Sequence, residues 1–265
     1  MSTKYPSTAV IISTYNSPDY LKRVLDGFLQ QQSPPDELIV ADDGSTRETA
    51  EVVELFAKRA PFPVLHVWHE DVGFRLAKIR NEAIKAARSE YLIFTDGDCL
   101  PHPFFVADHR RAARPGFFAA GKRMLVSETA SVDFFPYRGL LDLVKTCLSG
   151  GLSGWHHLLR LPGLTLKKQR LRGIRGCNLA FYREDLLKVN GFNESFVGWG
   201  REDSELVVRL FRLGLLRRDL PFSAALYHLW HRVNSRASLP ENDAILQAAL
   251  DSQAFTCANG IVKQG

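Results

Sequence analysis

Short apolar runs alternate with amphipathic stretches through the first hundred residues of this chain. The apolar runs that have the length of buried strands are 8–13, 37–41, 63–68 and 91–95. The stretches with apolar residues at the three- and four-residue spacing of helices are 19–32, 47–59 and 75–87. Because strand and helix alternate at this spacing, the strands should pair in parallel through helical crossovers. The sequence therefore predicts an α/β fold.

Polar turns follow three of the predicted strands. They are STYN at 13–16, DDGS at 42–45 and DGD at 96–98. In a parallel sheet, ligands bind at the carboxyl ends of the strands, so these turns are the first place to seek a site. The carboxylates of Asp96 and Asp98 can together engage a hard divalent cation and the ribose of a nucleotide. A solvated acidic turn has the same pattern, so both interpretations stay open.

A second set of polar residues lies in the last third of the chain. The turn at 198–200 contains Trp199, whose flat apolar face suits a sugar ring. It leads into a predicted helix over 202–213, and Glu202 and Asp203 fall in the first turn of that helix. The positive end of the helix dipole favours an ionised carboxylate there, which can act as a general base. Acids are also frequent in first turns for structural reasons alone.

Two further groups have an ordinary interpretation beside a functional one. His228 and His231 follow a short strand-like run at 224–226, where a histidine can complete a metal shell or simply be a core or surface residue. Arg75, Lys78 and Arg80 lie on one predicted helix, and Arg75 and Lys78, three residues apart, share adjacent surface. They can face a diphosphate or form a solvated basic face.

The composition is that of an ordinary soluble globular protein, with 45% hydrophobic and 24% charged residues in 265. No run approaches the roughly 18 to 20 apolar residues of a membrane span, and the start of the chain lacks the pattern of a signal peptide. We therefore expect a cytoplasmic location. The four cysteines are scattered, which predicts free thiols in a reducing compartment. The patterned segments are continuous and predict one domain.

The middle of the chain, about 134–175, is basic and aromatic and lacks a clear helix or strand period. From Gly151 to Arg175 there are six Lys and Arg residues and no acidic residue. With a net charge of +5 for the chain, anionic partners are favoured. This stretch can line an acceptor cleft, lie on an anionic membrane surface that carries a lipid-linked acceptor, or form a solvated lid. No motif supports binding of nucleic acid.

Taken in order, the motifs resemble the family-2 glycosyltransferases of the GT-A fold. The nucleotide-binding half of that family is similar to the STYN opening, VADDGS, GFRLAKIRNEAI and FTDGDC. The later RGCNLAFYREDLLKVNGFNESFVGWGREDSELVVRLFRLG resembles the catalytic half of the β-1,4-galactosyltransferases and related bacterial chain-building transferases. The resemblance spans about 8–231. It implies one domain with a Rossmann-like, mostly parallel sheet flanked by helices, in which 1–120 bind the nucleotide-sugar and 121–265 form the acceptor-binding, catalytic half.

The resemblance also implies a role for individual residues. Those on the donor side are Ser13, Tyr15 and Asp43 for the uracil, Arg75 with Lys78 for the diphosphate, Asp96 for the ribose and Gly176 for the donor sugar. Those of the metal are Asp98 and His228, with His231 as the alternative histidine. Those on the acceptor side are Trp199 and Glu202, with Asp203 as catalytic base. Two positions depart from the galactosyltransferases, which have another acid at the position of Ser204 and glycine at that of Arg201.

The function that follows is an inverting, metal-dependent glycosyltransferase. It would move a sugar from a nucleoside-diphosphate donor, with UDP as the preferred nucleotide, to a glycan or lipid-linked glycan acceptor. The cofactor would be Mn²⁺ or Mg²⁺. The bacterial relatives point to polysaccharide or lipopolysaccharide synthesis, with peripheral contact to the inner membrane face as a further hypothesis. The alternatives are an inactive sugar-nucleotide or carbohydrate-binding module and a sugar nucleotidyltransferase. The latter class carries a glycine-rich basic loop after its first strand, which STYNSPDY lacks.

Overall fold

The computed structural model describes residues 5–233 and 235–263, and over these ranges the chain forms eleven β-strands and nine α-helices. The strands are β1 (Thr8–Thr14), β2 (Glu37–Asp42), β3 (Val64–Trp68), β4 (Tyr91–Asp96), β5 (Cys99–Pro101), β6 (Phe117–Ala120), β7 (Lys122–Leu125), β8 (Leu166–Lys168), β9 (Leu179–Tyr182), β10 (Leu216–Asp219) and β11 (Ala225–His228). The helices are α1 (Pro18–Phe28), α2 (Arg47–Ala57), α3 (Leu76–Ala86), α4 (Phe105–Ala112), α5 (Glu128–Ser131), α6 (Leu140–Leu148), α7 (Arg183–Lys188), α8 (Glu202–Arg212) and α9 (Leu239–Asp251).

The main sheet has the strand order β3-β2-β1-β4-β9-β6-β10-β8 within the described residues. The β1–β2, β2–β3, β1–β4 and β6–β10 pairs are parallel. Strand β9 runs antiparallel between β4 and β6, and β8 is antiparallel to β10. The predicted α/β class with a mostly parallel sheet is therefore confirmed. Strands from both predicted halves of the chain share this one sheet.

Both faces of the sheet are buried, and β1 shows how. Its seven residues are all buried, and successive side chains enter different core clusters. Val10 and Ile12 pack on the side that contains α1, whereas Ala9 and Ile11 pack on the side that contains α3. This is the two-residue period of a strand covered by helices on both faces. It explains why the run is continuously apolar.

The register of the parallel strands brings the predicted polar turns together. Ser13 of β1 is paired with Asp96 of β4, and Thr14 is paired with Asp42 of β2. The backbone N–H of Gly97 donates to the carbonyl of Ser13 at 2.7 Å, so the turn after β4 folds back against β1. The three polar turns therefore lie along one edge of the sheet, as the strand pattern predicts.

A small sheet of order β5-β11-β7 lies beside this edge. Its register pairs His228 with Cys99, and the N–H of Leu229 donates to the carbonyl of Asp98. The strand that carries the histidine motif is thereby held against the DGD turn. No local sequence pattern could predict this pairing, because about 130 residues separate the two segments.

The middle of the chain is more regular than its pattern indicates. Residues 121–172 contain β7, α5, α6 and β8, which are short elements separated by turns. Elements of three to nine residues are too brief to display a period. None of the described helices is both long and apolar enough to cross a bilayer. The two predicted halves begin and end with residues 1–4 and 264–265, which lie outside the described residues. All four cysteines are free thiols.

Candidate active site

A cleft of about 640 Å³ opens at the carboxyl edge of the main sheet. Eleven of the thirteen residues predicted from the sequence line it. They are Ser13, Tyr15, Asp43, Asp96, Asp98, Gly176, Trp199, Glu202, Asp203, His228 and His231. We call Ser13, Asp43 and Asp96, which lie at strand ends, the strand-end wall. We call Trp199, Glu202 and Asp203, which come from a loop and the start of a helix, the loop wall.

The buried guanidinium of Arg80 joins the two walls. It donates to the Oγ of Ser13 at 3.1 Å and to Oδ1 of Asp96 at 3.0 Å. Its third contact is Oε1 of Glu202 at 3.2 Å, and its Cζ lies 5.4 Å from the ring centroid of Phe192. A buried arginine needs such partners, because a buried charge without them is costly.

The carboxylates that flank Arg80 have shifted pKa values. Burial raises the pKa of Glu202 to about 7, and the neighbouring Asp203 charge adds to this against the opposing effect of Arg80. Burial likewise raises the pKa of Asp96 to about 6, although Arg80 opposes it. The two carboxyl groups that contact Arg80 therefore both have raised pKa values, and perturbed pKa values of this kind are typical of functional sites.

The backbone of Gly176 packs against this group. A Cβ at position 176 would lie 3.2 Å and 3.4 Å from the guanidinium nitrogens of Arg80 and 3.6 Å from Oε1 of Glu202. The first of these separations is tighter than ordinary van der Waals contact. Glycine here lets the chain pass close to the arginine and leaves space in the cleft.

The carboxylate of Asp43 is oriented on both oxygens. The ring Nε2 of His69 lies 2.6 Å from Oδ1, and the backbone N–H of Arg75 donates to Oδ2 at 2.8 Å. Each carboxylate oxygen has a further lone pair and can accept another hydrogen bond. Nearby, the hydroxyl of Tyr15 donates to Asp71 at 2.9 Å, and that hydrogen bond raises the pKa of the phenol.

Asp98, His228 and His231 form a compact group whose potential ligand atoms lie within 4.8 Å of one another. The Nε2 of His231 is 3.2 Å from Oδ2 of Asp98, and that of His228 is 3.8 Å from Oδ1. Burial alone would raise the pKa of Asp98, but the hydrogen bond of His231 and the charges of both histidines hold it below its usual value. Burial lowers the pKa of His228, which favours the neutral ring that binds metals.

The loop wall depends on a turn of unusual backbone. Gly198, Gly200 and Arg201 all have positive φ angles, of 74°, 105° and 80°. The side chain of the buried Asn242 on α9 donates to the carbonyls of Val197 and Trp199, which holds this turn in place. Asp203 then begins the first turn of α8 half-buried and accepts a hydrogen bond from the hydroxyl of Ser204 at 3.1 Å.

Arg75 and Lys78 are not among the residues that line the cleft, and a contact of theirs with a diphosphate stays a prediction. The guanidinium of Arg75 donates instead to the carbonyl of Glu70. Lys78 lies two residues from Arg80, which is about 200° around a helix, so the two side chains leave α3 in nearly opposite directions. The buried face of α3 is the one that carries Arg80.

Five cations of the described chain line the cleft, and only Arg80 among them is a candidate diphosphate contact from the sequence. The five are Arg80, Arg123, Arg175, Arg201 and Arg236. Arg123 and Arg236 lie in segments without a clear period, and Arg236 places its Cζ 5.3 Å from the ring centroid of Trp199. A usable signal existed only for Arg80, which falls on the apolar face of its helix together with Ala77 and Ala83.

Comparison with known proteins agrees with the fold and the geometry. The arrangement is that of a GT-A glycosyltransferase, the class that the motifs predict. The model of glycosyl transferase family 2 matches residues 9–187, and that described as the N-terminal domain of galactosyltransferase matches residues 164–232. The chain therefore belongs to glycosyl transferase family 2. The predicted enzyme class is confirmed at the level of the family.

Two curated relatives show the range of the similarity. Chondroitin synthase of Escherichia coli is 28% identical over 237 residues, which are 83% of this chain and 34% of that protein. Validoxylamine A glucosyltransferase of Streptomyces hygroscopicus subsp. limoneus is 31% identical over 226 residues, 79% of this chain and 49% of that protein. The chain thus spans between a third and a half of the length of these relatives.

Solved structures share the fold. TarS of Staphylococcus aureus, residues 1–349 in complex with UDP-GlcNAc, gives a TM-score of 0.66 at 18% identity, over 97% of this chain and 68% of that one. A mannosyltransferase of Pyrobaculum calidifontis in complex with GDP-Man and Mn²⁺ gives 0.57 at 23% identity, over 85% and 57% of the two chains. At these identities the likeness concerns the fold alone.

Proposed function

We propose that this chain is an inverting, metal-dependent glycosyltransferase that moves a sugar from a nucleoside diphosphate to a hydroxyl of a glycan. One observation carries the proposal. The Asp98, His228 and His231 group and the acid Asp203 line the same cleft. A donor bound in this cleft would have its diphosphate near the first group and its reacting carbon near the second.

The donor half of the proposal rests on residues 1–120. Asp43, with both oxygens oriented, would accept the N–H of a uracil, and Ser13 and Tyr15 would complete the pocket for the base. Asp96 would accept hydrogen bonds from the ribose. UDP is the first choice, and because the solved neighbours include complexes with UDP-GlcNAc and GDP-Man, both nucleotides belong in the test.

Residues 121–265 would supply the acceptor side. Trp199 offers its face to the acceptor sugar, while Glu202 contacts an acceptor hydroxyl. Asp203 would take the proton of the attacking hydroxyl as that oxygen displaces the diphosphate from the opposite face of the sugar. Gly176 leaves room for the donor sugar. Arg75 with Lys78, together with Arg123 of the cleft lining, would face the diphosphate.

One carboxylate and two imidazoles at Asp98, His228 and His231 fit a divalent cation, and both histidines can serve together. Imidazole nitrogen suits Mn²⁺ better than Mg²⁺, which prefers oxygen ligands, so we expect Mn²⁺ to be the better of the two. When bound, the metal would neutralise charge that develops on the leaving diphosphate. The acceptor is proposed to be a bacterial polysaccharide or lipopolysaccharide chain, which includes lipid-linked glycans.

A donor panel tests this function. UDP-, GDP- and TDP-sugars are titrated into the protein with Mn²⁺, with Mg²⁺ or with EDTA, and thermal stabilisation and donor hydrolysis are measured. We expect one nucleotide class to stabilise the protein, only with metal, and Asp98→Asn to remove that effect. Stabilisation without hydrolysis in the presence of glycan acceptors would indicate a binding module instead. No stabilisation by any donor would contradict the proposal.

A further inference from the structure

Helix α6 turns several large apolar side chains to solvent. Leu140, Leu141 and Leu148 are 62%, 78% and 84% exposed, and Val144 is 38% exposed. Their spacings of three, four and seven residues place them on one face of the helix, while Leu143 is buried against the core. Single exposed leucines are common on proteins, but an apolar helix face left open to water usually marks an interaction surface.

An exposed tryptophan lies on the 3₁₀ turn that packs against α6. This turn is Trp155–Leu158, and Trp155 is 72% exposed. We call Leu140, Leu141, Val144, Leu148 and Trp155 the α6 patch. Tryptophan is enriched where protein meets the boundary between lipid and water, because its ring is apolar while its N–H stays hydrated.

The charge around the patch favours one kind of partner. Residues 134–175 contain eight Lys and Arg and one acid, a net charge of +7 in a chain whose total is +5. Two of these cations, Arg160 and Lys168, form salt bridges with acids outside the segment. Arg138 and Lys145 are exposed beside the apolar face. Neither forms a salt bridge with any other residue that the structure describes. A basic border around an apolar face is the arrangement of helices that lie in the surface of an anionic membrane.

We propose that the α6 patch docks this chain on anionic lipid bilayers, with the leucines and Trp155 at the level of the acyl boundary and the basic residues on the headgroups. The helix is nine residues long and would lie in the plane of the surface. Docking itself does not depend on the chemistry assigned to the cleft.

The chain that carries the patch leads to the neighbourhood of the cleft on both sides of α6. At one end, the Oγ of Ser131 accepts the N–H of Trp230 at 2.7 Å, next to His231. At the other end, Ile174 and Arg175 line the cleft. A docked patch would hold the mouth of the cleft near the bilayer. If the proposed function is correct, this orientation presents the site to acceptors that are attached to lipid.

Co-sedimentation with vesicles tests the docking. The full chain is mixed with phosphatidylcholine vesicles with or without phosphatidylglycerol, at low and at high salt. We expect binding to the anionic vesicles that weakens with salt. The variant Leu141→Gln with Leu148→Gln should lose at least about tenfold in partitioning, since it removes two of the most exposed apolar side chains. Arg138→Ala with Lys145→Ala should weaken binding and reduce its salt dependence.

The chain offers a matched control. Leu55 on α2 and Leu65 on β3 are 62% and 43% exposed, and Leu55→Gln with Leu65→Gln should bind vesicles as the unchanged chain does. Brominated lipids should quench tryptophan fluorescence, and Trp155→Phe should remove most of that quenching. Equal loss in the control, no binding to anionic vesicles at low salt, or concentration-dependent dimers abolished by the α6 variant would each overturn the proposal. Failure of the donor panel with vesicle binding intact would affect the proposed function alone.

Discussion

The two walls of the cleft are built in different ways. Ser13 and Asp96 lie near the ends of β1 and β4 and are paired with each other in the sheet, and Asp43 directly follows β2, so the position of the strand-end wall is set by backbone pairing. Trp199, Glu202 and Asp203 come from a loop and the first turn of a helix. Their positions depend on a few side chains, such as Asn242 of α9 and Arg80 of α3. One wall is held by the backbone and the other by side chains.

This difference indicates where mutations should act. Changes in the strand-end wall should affect what the site binds, because its groups are already in place. Changes in the loop wall should affect how the site reacts and how well its parts stay aligned. Mutation of Arg80 should affect both binding and reaction, because its guanidinium contacts Asp96 of the strand-end wall and Glu202 of the loop wall.

The largest effect is expected for Asp203→Asn. This change removes the proposed base and nearly preserves the shape of the side chain, so kcat should fall by about 10² to 10⁴. Donor affinity should change little, because the donor is held by the opposite wall. Steady-state kinetics and donor titration by calorimetry measure the two quantities separately. Near-normal turnover in the variant would remove Asp203 from the mechanism, and Ser204→Ala should give a much smaller loss.

The next effect is expected for Arg80→Met. It leaves the carboxylates of Asp96 and Glu202 buried without their partner, which should cost about 3 to 5 kcal/mol of unfolding free energy. Arg209→Met is the matched control, since Arg209 pairs with Glu205 inside α8 at similar burial but outside the cleft. Both variants should lose stability in denaturant titrations. Only Arg80→Met should also weaken donor binding at temperatures where both variants are folded. Equal donor affinity of the two variants would show that Arg80 does not hold the two walls together for binding.

The difference between the two walls also explains which parts of the molecule could be predicted from the sequence. The elements of the strand-end wall follow local rules, since β1 and β4 are apolar runs and α1 and α3 have a helical period. Their bounds agree with the structure to within a few residues, and the acids at the strand ends follow from the direction of the sheet. The antiparallel insertion of β9 between β4 and β6 depends on pairing between distant segments, which no local pattern reports.

The loop wall was accessible to resemblance but not to periodicity. The roles of Trp199 and Asp203 are implied by a motif that resembles that of a known family, whereas Arg236 lies outside every such motif. From its helix alone, Arg80 is either a diphosphate contact or a solvated cation, because its actual partners lie on segments distant in sequence. Only the packed structure shows that three acceptors, on β1, on β4 and on α8, converge on its guanidinium.

The third prediction concerns how the unfolding free energy depends on pH through Glu202 of the loop wall. Burial raises the pKa of Glu202 from 4.5 to about 7, so the folded state binds a proton more tightly than the unfolded state. The resulting stability is present below pH 4.5 and is lost as the pH rises through about 7. Glu202→Gln should therefore be more stable than the unchanged chain at pH 8, by on the order of 1 to 3 kcal/mol, and the gap should close near pH 5.

Two comparisons sharpen this test. Glu48→Gln, on the exposed face of α2, should show no such pH dependence. Because the charge of Asp203 contributes to the raised pKa, Asp203→Asn should narrow the pH range over which stability is lost. Urea titrations between pH 5 and pH 8 provide the free energies. A gap that stays constant with pH would mean that Glu202 is ionised throughout, held by Arg80.

The smallest effect concerns the backbone of the loop wall at Arg201. Its φ of 80° lies in the left-handed region, where a residue with a Cβ is strained by about 1 kcal/mol relative to glycine. Arg201 also forms a half-exposed salt bridge with Asp243, a kind of contact worth about 0 to 1 kcal/mol. Arg201→Ala loses the salt bridge and keeps the strain, whereas Arg201→Gly loses both. Glycine should therefore be about 1 kcal/mol more stable than alanine in denaturant titration. Equal stability of the two variants would mean that the turn relaxes, and the loop wall would then be less constrained by its own backbone than the contacts of Asn242 imply.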